Sequence, residues 1–198
     1  MRIIRSIVAV ATGAVSTLGA VVALGLAAPP AVAGTQVTGV YDRHSARTLP
    51  RFHYVINVRA PQNSRLTLYY SSRRDQARRF VTVRAGSGLG SLNECAKNRG
   101  VLPVGRYSVW FRPNYRAGNP AVRGDVWRVS DRVCRNRKTV RNDLFIHSSG
   151  APGAPFRHYR TLGCIKVDQA DRARLAAAWR SAWGNHRGQL VVTRSAAR

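Results

Sequence analysis

Acidic residues are scarce in this chain. Its 198 residues include 8 Asp and Glu against 33 Lys and Arg, which gives a formal net charge of +25. Such an excess of positive charge favours anionic polymers as partners and predicts association that salt weakens. Nucleic acid, an anionic lipid surface and bacterial wall polymers are the candidates. A solvated cationic face without a dedicated partner is the alternative.

Motifs for nucleic acid and for metal are missing. The chain has no zinc-finger spacing, no basic-region heptads and no RNA-recognition signature, and its basic residues are dispersed. It also lacks Cys-x-x-Cys and closely spaced histidine pairs, which argues against a zinc site. We therefore expect no metal and no dedicated nucleic-acid partner, and wall polymers become the favoured partner once export is considered.

Long apolar runs occur only at the N-terminus. A basic start, Met1–Arg5, precedes an uncharged apolar run over residues 6–33 that ends in Ala31-Val32-Ala33. This pattern predicts a signal peptide over residues 1–33, and a retained membrane anchor is the alternative. Glycines and prolines within the run favour cleavage. We therefore expect a secreted or wall-associated bacterial protein outside the cytoplasm, with no stable membrane span after cleavage.

The rest of the chain suits one domain. Loss of the signal peptide removes two arginines and no acid, so the charge of +25 falls by two to +23. Residues 34–51 are polar, basic and weakly patterned, and we expect a flexible extension there. Residues 52–198 form the predicted folded domain.

β-Strand patterns dominate that domain. Alternating β-branched and aromatic residues predict several strands, and Ala-rich helical spacing predicts one helix over Gln169–Trp183 with Asp168 as its N-cap. Loops are expected at Ala85–Gly90 and Tyr115–Gly124. The predicted strands lie within Phe52–Val58, Ser64–Tyr70, Arg79–Arg84, Gly100–Trp110, Asp125–Val129, Asn142–Ile146 and Gly188–Thr193.

One segment, Ile146–Val167, carries the reactive residues. His147 ends an apolar run, and a Gly/Pro-rich loop then leads to Cys164 in a Thr-x-Gly-Cys-Ile turn. A nucleophilic thiolate needs a base and a field that lowers its pKa, and His147 supplies a base. Gly163 permits an unusual backbone before the thiol. The alternative is a small core residue at Cys164 and a satisfied strand-end histidine at His147.

This spacing and the Gly-Cys turn resemble the catalytic domain of the L,D-transpeptidases, the YkuD-like family. The turn at Pro103 and Gly105 resembles a second family segment, although Leu102 stands where the family has Thr. The resemblance covers residues 52–193. It implies a mainly β fold, namely a β-sandwich with mixed sheets and one α-helix in the C-terminal half.

The resemblance also implies a reaction. A peptidoglycan L,D-transpeptidase uses Cys164 to take an acyl group from a tetrapeptide stem, with a cross-linking or carboxypeptidase outcome. His147 would be the base, Ser148 or its carbonyl would orient the imidazole, and the N–H groups of Gly163 and Cys164 would hold the oxyanion. No metal or organic cofactor is implied. The expected partners are stem peptides and anionic wall polymers, and we expect a monomer.

Substrate contacts are expected near the nucleophile. Many family members carry His where this chain has Leu162 and Asn or Arg where it has Lys166, which keeps positive charge near the thiol. A non-catalytic cationic wall-binding protein with a degenerate domain is therefore an alternative function, and an enzyme that cleaves the stems of competing bacteria is another. The expected contacts are Arg157, His158, Tyr159, Thr161 and Lys166, with an exposed loop histidine as the alternative for His158.

Three cysteines leave one thiol over in an exported protein. With Cys164 assigned as the free nucleophile, Cys95 and Cys134 are predicted to form a disulfide. Such a bridge closes a loop of about 40 residues and stabilises the fold by about 3–4 kcal/mol.

Overall fold

The computed structural model describes residues 49–148, 158–182 and 186–196. All of them belong to one compact unit, while the predicted signal peptide and residues 34–48 lie outside the described residues. The described part holds ten strands and one α-helix, so the predicted mainly β fold is confirmed. The elements are β1 Arg51–Ile56, β2 Ser64–Ser71, β3 Arg78–Ser87, β4 Gly105–Tyr115, β5 Gly124–Val129, β6 Arg132–Val133, β7 Val140–Arg141, β8 Leu144–His147, β9 Ile165–Lys166, α1 Gln169–Ser181 and β10 Arg187–Arg194.

Eight of these strands form a closed barrel in the order β1-β10-β4-β5-β8-β9-β3-β2. The pairs β1–β10 and β8–β9 are parallel, and the other neighbours are antiparallel. The predicted mixture of parallel and antiparallel pairing is therefore confirmed. The two faces of the expected sandwich are joined by hydrogen bonds into one closed surface. Strands β6 and β7 form a separate two-stranded sheet.

An aromatic cluster joins the helix to the barrel. Trp179 of α1 stacks on Phe52 of β1 with ring centroids 5.3 Å apart, and Trp127 of β5 meets Phe52 edge-on at 5.4 Å. All three side chains are fully buried. Rings of this size supply a large share of the apolar area that stabilises a core, so they fix α1 against the barrel.

The predicted boundaries need small corrections. Asp168 caps α1 as expected, accepting from the Asp171 N–H at 2.8 Å, but the helix ends at Ser181, before the predicted Trp183. Arg51 already belongs to β1, so the folded domain begins before residue 52. Strand β3 continues through Ser87 into the predicted loop, because its last residues pair with β9. No helix among the described residues is long and apolar enough to cross a membrane.

Candidate active site

The parallel pair β8–β9 brings the two ends of the reactive segment together. His147 is the last residue of β8 and lies opposite Lys166 of β9, and Cys164 directly precedes β9. The Val167 N–H donates to the His147 carbonyl at 2.9 Å, which extends the pairing by one residue. A parallel pair needs a long crossover connection, which accounts for the number of residues between β8 and β9 in the sequence.

A groove of about 1000 Å³ opens over this strand pair. His147, Cys164 and Lys166 all line it, together with the exposed side chain of Leu162. Part of the rim comes from the segment predicted as a loop over residues 115–124. Its lining residues are Tyr115, Gly118, Asn119, Ala121 and Val122.

His147 is buried and held in one orientation. Its Nδ1 lies 2.7 Å from the Ser148 carbonyl oxygen and 3.1 Å from that of Ala121, so Nδ1 carries the proton and donates. Nε2 is then the basic nitrogen. The pKa of His147 is lowered to about 4, mainly by burial and to a smaller extent by the charges of Lys166 and Arg172. The imidazole is therefore neutral at physiological pH and can accept a proton.

Ser148 acts on this imidazole through its backbone. Of the two possibilities considered for Ser148, the structure shows the carbonyl contact, whereas the buried hydroxyl has no hydrogen-bond partner within the described residues. The tautomer of His147 is therefore set by the main chain, as a third group sets it in other nucleophile–base pairs.

The Cys164 thiol is enclosed on its inner side, although the residue keeps some exposure to the groove. Its Sγ donates to the Asp143 carbonyl at 3.5 Å and accepts from the Phe145 N–H. Burial raises the pKa of Cys164, and the Phe145 N–H and the Arg141 charge oppose this rise without reversing it. The net shift is upward, opposite to the lowered pKa expected for this thiol, because desolvation of the thiolate outweighs the nearby positive charge. The resting pair is a neutral thiol and a neutral imidazole.

Gly163 has the unusual backbone that its position predicts. Its φ is +129°, and a Cβ there would lie 1.8 Å from Nη2 of Arg141. Its N–H, however, donates to the Thr161 hydroxyl at 3.1 Å. That donor therefore already has an acceptor within the turn, and the oxyanion contact of the Gly163 N–H stays a prediction. The Cys164 N–H is the remaining one of the two expected donors.

The Thr161 side chain holds the Gly163–Cys164 turn through hydrogen bonds to the backbone. Its hydroxyl donates to the Cys164 carbonyl at 2.7 Å and accepts from the N–H groups of Gly163 and Gly88, both at 3.1 Å. The Thr161 hydroxyl thus uses its proton and its lone pairs in hydrogen bonds with backbone groups, including those of Gly163 and Cys164. A contact between Thr161 and substrate stays a prediction.

Of the other residues expected to contact substrate, His158 lines the groove and Tyr159 does not. His158 is exposed and lines the groove, while its Nδ1 accepts from the Arg160 N–H at 3.2 Å. The Tyr159 ring lies under the Arg84 guanidinium, with Cζ 4.5 Å from the ring centroid, and does not line the groove. Arg157 lies outside the described residues.

Lys166 is buried and lines the groove. Burial lowers the pKa of its ammonium, because a charge loses hydration there. Its charge lowers the pKa of His147. An effect of Lys166 on the pKa of the Cys164 thiol stays a prediction. A contact between Lys166 and a substrate carboxylate stays a prediction.

Sequence reasoning missed Arg141. Its side chain is 3% exposed and has only backbone carbonyls as hydrogen-bond acceptors. The guanidinium thus connects the turn before Cys164 to the segment before β4. In the sequence Arg141 ends a basic stretch of the kind that is usually exposed to solvent. Only the tertiary structure shows that its side chain is buried. The acceptors are the carbonyls of Glu94, Gly100, Val101 and Leu162.

The other two cysteines form a pair beside Arg141. The thiols of Cys95 and Cys134 are hydrogen-bonded to each other, and Cys134 Sγ also donates to the Glu94 carbonyl at 3.3 Å. All three cysteines are thiols in the structure. The disulfide stays a prediction, and the two sulfurs are placed where oxidation can join them. Among the described residues, no group of three His, Cys, Asp or Glu side chains is arranged to hold a metal ion.

No protein-family model matches this chain, and no curated protein matches it. Among solved structures, it is similar to the helical cell shape determining protein Pgp2 from Campylobacter jejuni, with a TM-score of 0.47 and 14% identity over 77% of this chain and 53% of the other. A mutant of the same Pgp2 gives a TM-score of 0.47 and 15% identity over 77% and 52%. The chain thus spans about half the length of these structures. At this degree of similarity, function has to be inferred from the site residues.

Proposed function

We propose that this chain is a secreted cysteine acyltransferase of the L,D-transpeptidase type that acts on the tetrapeptide stems of peptidoglycan. One observation supports this most: His147, the last residue of β8, and Cys164, the residue before the neighbouring strand β9, line the same groove. The imidazole is fixed with Nε2 as its basic nitrogen, and the turn before Cys164 is fixed by Thr161 and Arg141. These are the parts that a nucleophile–base pair requires.

In the proposed reaction, the carbonyl before the terminal D-alanine of a stem enters the groove. The sulfur of Cys164 attacks the carbonyl carbon as its proton passes to Nε2 of His147. The Cys164 N–H donates to the oxygen that becomes negative, a contact worth about 3 kcal/mol for a well-placed donor. The C–N bond then breaks, and the leaving amine takes the proton from His147. A thioester remains on Cys164.

The second half of the reaction regenerates the thiol. An amine of a second stem, or water, attacks the thioester carbonyl while His147 accepts its proton. Breakage of the C–S bond then returns that proton to the sulfur of Cys164. An amine gives a cross-link and water gives a shortened stem. Lys166 and His158 line the same groove, and we propose that they meet the carboxylates of the stem peptide.

The resting pKa values shape this mechanism. A raised pKa at Cys164 and a lowered one at His147 both disfavour an ion pair in the free protein. Proton transfer is then coupled to attack on the bound substrate. The enzyme is predicted to use general-base catalysis and not a preformed thiolate.

A second candidate is a cationic wall-binding protein whose transpeptidase-like domain is inactive. The raised pKa of Cys164 and the occupied Gly163 N–H favour it, because each removes a feature that helps catalysis. This candidate predicts wall binding without chemistry at Cys164.

Incubation with disaccharide-tetrapeptide, followed by mass spectrometry of the products, separates the two. We expect loss of D-alanine and, with a second stem present, a dimer. Both products should disappear in Cys164→Ala and fall sharply in His147→Gln, whereas Arg135→Gln, at an exposed turn, should keep them. Product formation by Cys164→Ala, or none by the unaltered protein with folding verified, would contradict the acyltransferase.

A further inference from the structure

A row of exposed side chains crosses four strands on the side of the barrel remote from His147. Strand pairing aligns Gln189 of β10, Arg51 of β1, Tyr69 of β2 and Phe80 of β3, and all four are exposed. Strand β1 is four strands away from β8 in either direction around the barrel. This row, called the Tyr69 shelf below, is therefore separate from the catalytic groove.

The shelf presents aromatic surface to solvent. Tyr69 is 40% exposed and Phe80 is 49% exposed, and their ring centroids lie 6.2 Å apart with planes inclined at 42°. Large exposed apolar side chains that stand together mark binding surfaces more often than single ones do. Leu49, which is 50% exposed, lies beside them in a second, smaller groove and extends the apolar area.

Positive charge accompanies the aromatic rings. The Arg51 guanidinium lies over the Tyr69 ring with Cζ 5.6 Å from its centroid. A groove of about 570 Å³ runs beside the shelf, and its lining holds three arginines and no acid. Asp75, outside the lining, pairs with Arg79. The lining residues are Leu49, Arg51, Tyr69, Tyr70, Ser71, Arg78, Arg79 and Gln189.

We propose that the Tyr69 shelf is a second binding site, and that it takes a linear acidic glycan whose sugar rings carry carboxylates. The C–H faces of pyranose rings pack on exposed aromatic faces, and sugar hydroxyls pair with neutral polar groups such as Gln189. The carboxylates pair with Arg51, whose planar guanidinium matches their geometry. The shelf would hold a glycan strand while the groove on the other side of the barrel stays open to peptides.

The choice of ligand rests on the proposed function in one respect. Single-stranded nucleic acid also stacks on aromatic rings beside arginines. A protein that works on the wall meets glycan instead, and the exposed amide of Gln189 suits hydroxyl-rich sugars. The experiment therefore compares the two ligand classes directly.

Binding is measured by fluorescence anisotropy with labelled oligogalacturonate, a neutral cello-oligosaccharide, polyglutamate and oligothymidylate of similar length. The protein is the full chain carrying Cys164→Ala, so the result does not depend on catalysis. The variants Tyr69→Ala, Phe80→Ala and Arg51→Gln test the shelf, and Arg135→Gln removes one exposed charge elsewhere. The side chains of Arg51, Tyr69, Phe80 and Arg135 are exposed, and thermal unfolding verifies that each variant folds.

We expect oligogalacturonate to bind more tightly than the other probes and to lose about fivefold or more in affinity with each shelf variant, since loss of one such contact costs about 1 kcal/mol. Arg135→Gln should change it by less than about twofold. Equal losses in Arg135→Gln and Arg51→Gln would overturn the proposal in favour of diffuse charge. Tighter, shelf-dependent binding of oligothymidylate would overturn it in favour of nucleic acid. If Cys164 proves inert while the shelf variants lose glycan binding, the shelf stands and the proposed reaction fails.

Discussion

At the scale of single residues, Cys164 and His147 are both neutral before substrate arrives. Burial raises the pKa of the thiol and lowers that of the imidazole to about 4, so transfer of the proton between them is uphill in the free protein. A buried pair of this kind avoids the cost of an ion pair in a poorly hydrated site. Its reactivity then depends on what fills the groove.

This state predicts the pH dependence of alkylation at Cys164. A raised pKa keeps the thiol protonated until the pH passes above its ordinary value, so the rate with iodoacetamide should still be rising beyond about pH 8.5. N-acetylcysteine in the same buffers should level off earlier. The modified site is identified by peptide mass spectrometry. A plateau of fast alkylation between about pH 5 and 8 would instead indicate a thiolate–imidazolium pair.

Arg141 predicts a structural effect. Arg141→Met keeps much of the volume but removes the guanidinium donor from four backbone carbonyls, of which, among the described residues, only that of Glu94 keeps another donor, the Cys134 thiol. We expect the free energy of unfolding in urea to fall by about 2–4 kcal/mol. Arg135→Gln, at an exposed position, should change it by less than about 0.5 kcal/mol. Equal stability of Arg141→Met and the unaltered protein would show that these carbonyls do not need the guanidinium.

At the scale of elements, the long strands and the helix are predictable from sequence. β2 begins at Ser64 and α1 begins after Asp168, both as the pattern predicts, because alternation and capping are local signals. The two-residue strands β6, β7 and β9 are not predictable, since two residues carry no period. They form because their neighbours in space, and not in sequence, supply hydrogen-bond partners.

The candidate site also has features that the sequence predicts and features that it does not. His147, Cys164 and the backbone of Gly163 follow from residue types and spacing, and the structure places the first two in one groove. The pKa of Cys164 was not predictable, because it depends on burial. The role of Arg141 was not predictable either, because a buried arginine bound to carbonyls looks the same in sequence as an exposed one.

The Cys95–Cys134 pair gives a prediction about the segment between β3 and β7. Their sulfurs are in contact, so oxidation during export should join them and add about 3–4 kcal/mol to the free energy of unfolding. A non-reducing peptide map of oxidised protein should show this bridge, with Cys164 alkylated as a free thiol. A map with Cys164 in the only disulfide would contradict both this bridge and the assignment of the nucleophile.

At the scale of the whole molecule, we expect salt to weaken binding to the wall much more than it slows turnover of a small substrate. Without the predicted signal peptide the chain has a formal net charge of +23, and it should bind anionic wall sacculi and be released by salt. Raising the ionic strength from about 0.05 to about 0.5 M shortens the screening length from roughly 14 to 4 Å. Turnover of a small soluble tetrapeptide should change much less, because that reaction is local to His147 and Cys164. Sedimentation with sacculi, beside a soluble assay at the same salts, checks this, and binding that survives high salt unchanged would refute the electrostatic account.

The central claim is that Cys164 takes an acyl group from a peptide stem, and intact-protein mass spectrometry tests it most directly. The protein is mixed with disaccharide-tetrapeptide, quenched in acid within the first turnovers and weighed beside Cys164→Ala. We predict a mass gain equal to the stem without its terminal D-alanine, released by hydroxylamine and mapped to Cys164. The same gain on Cys164→Ala, or no gain on folded protein under conditions where the stem is consumed, would contradict the account.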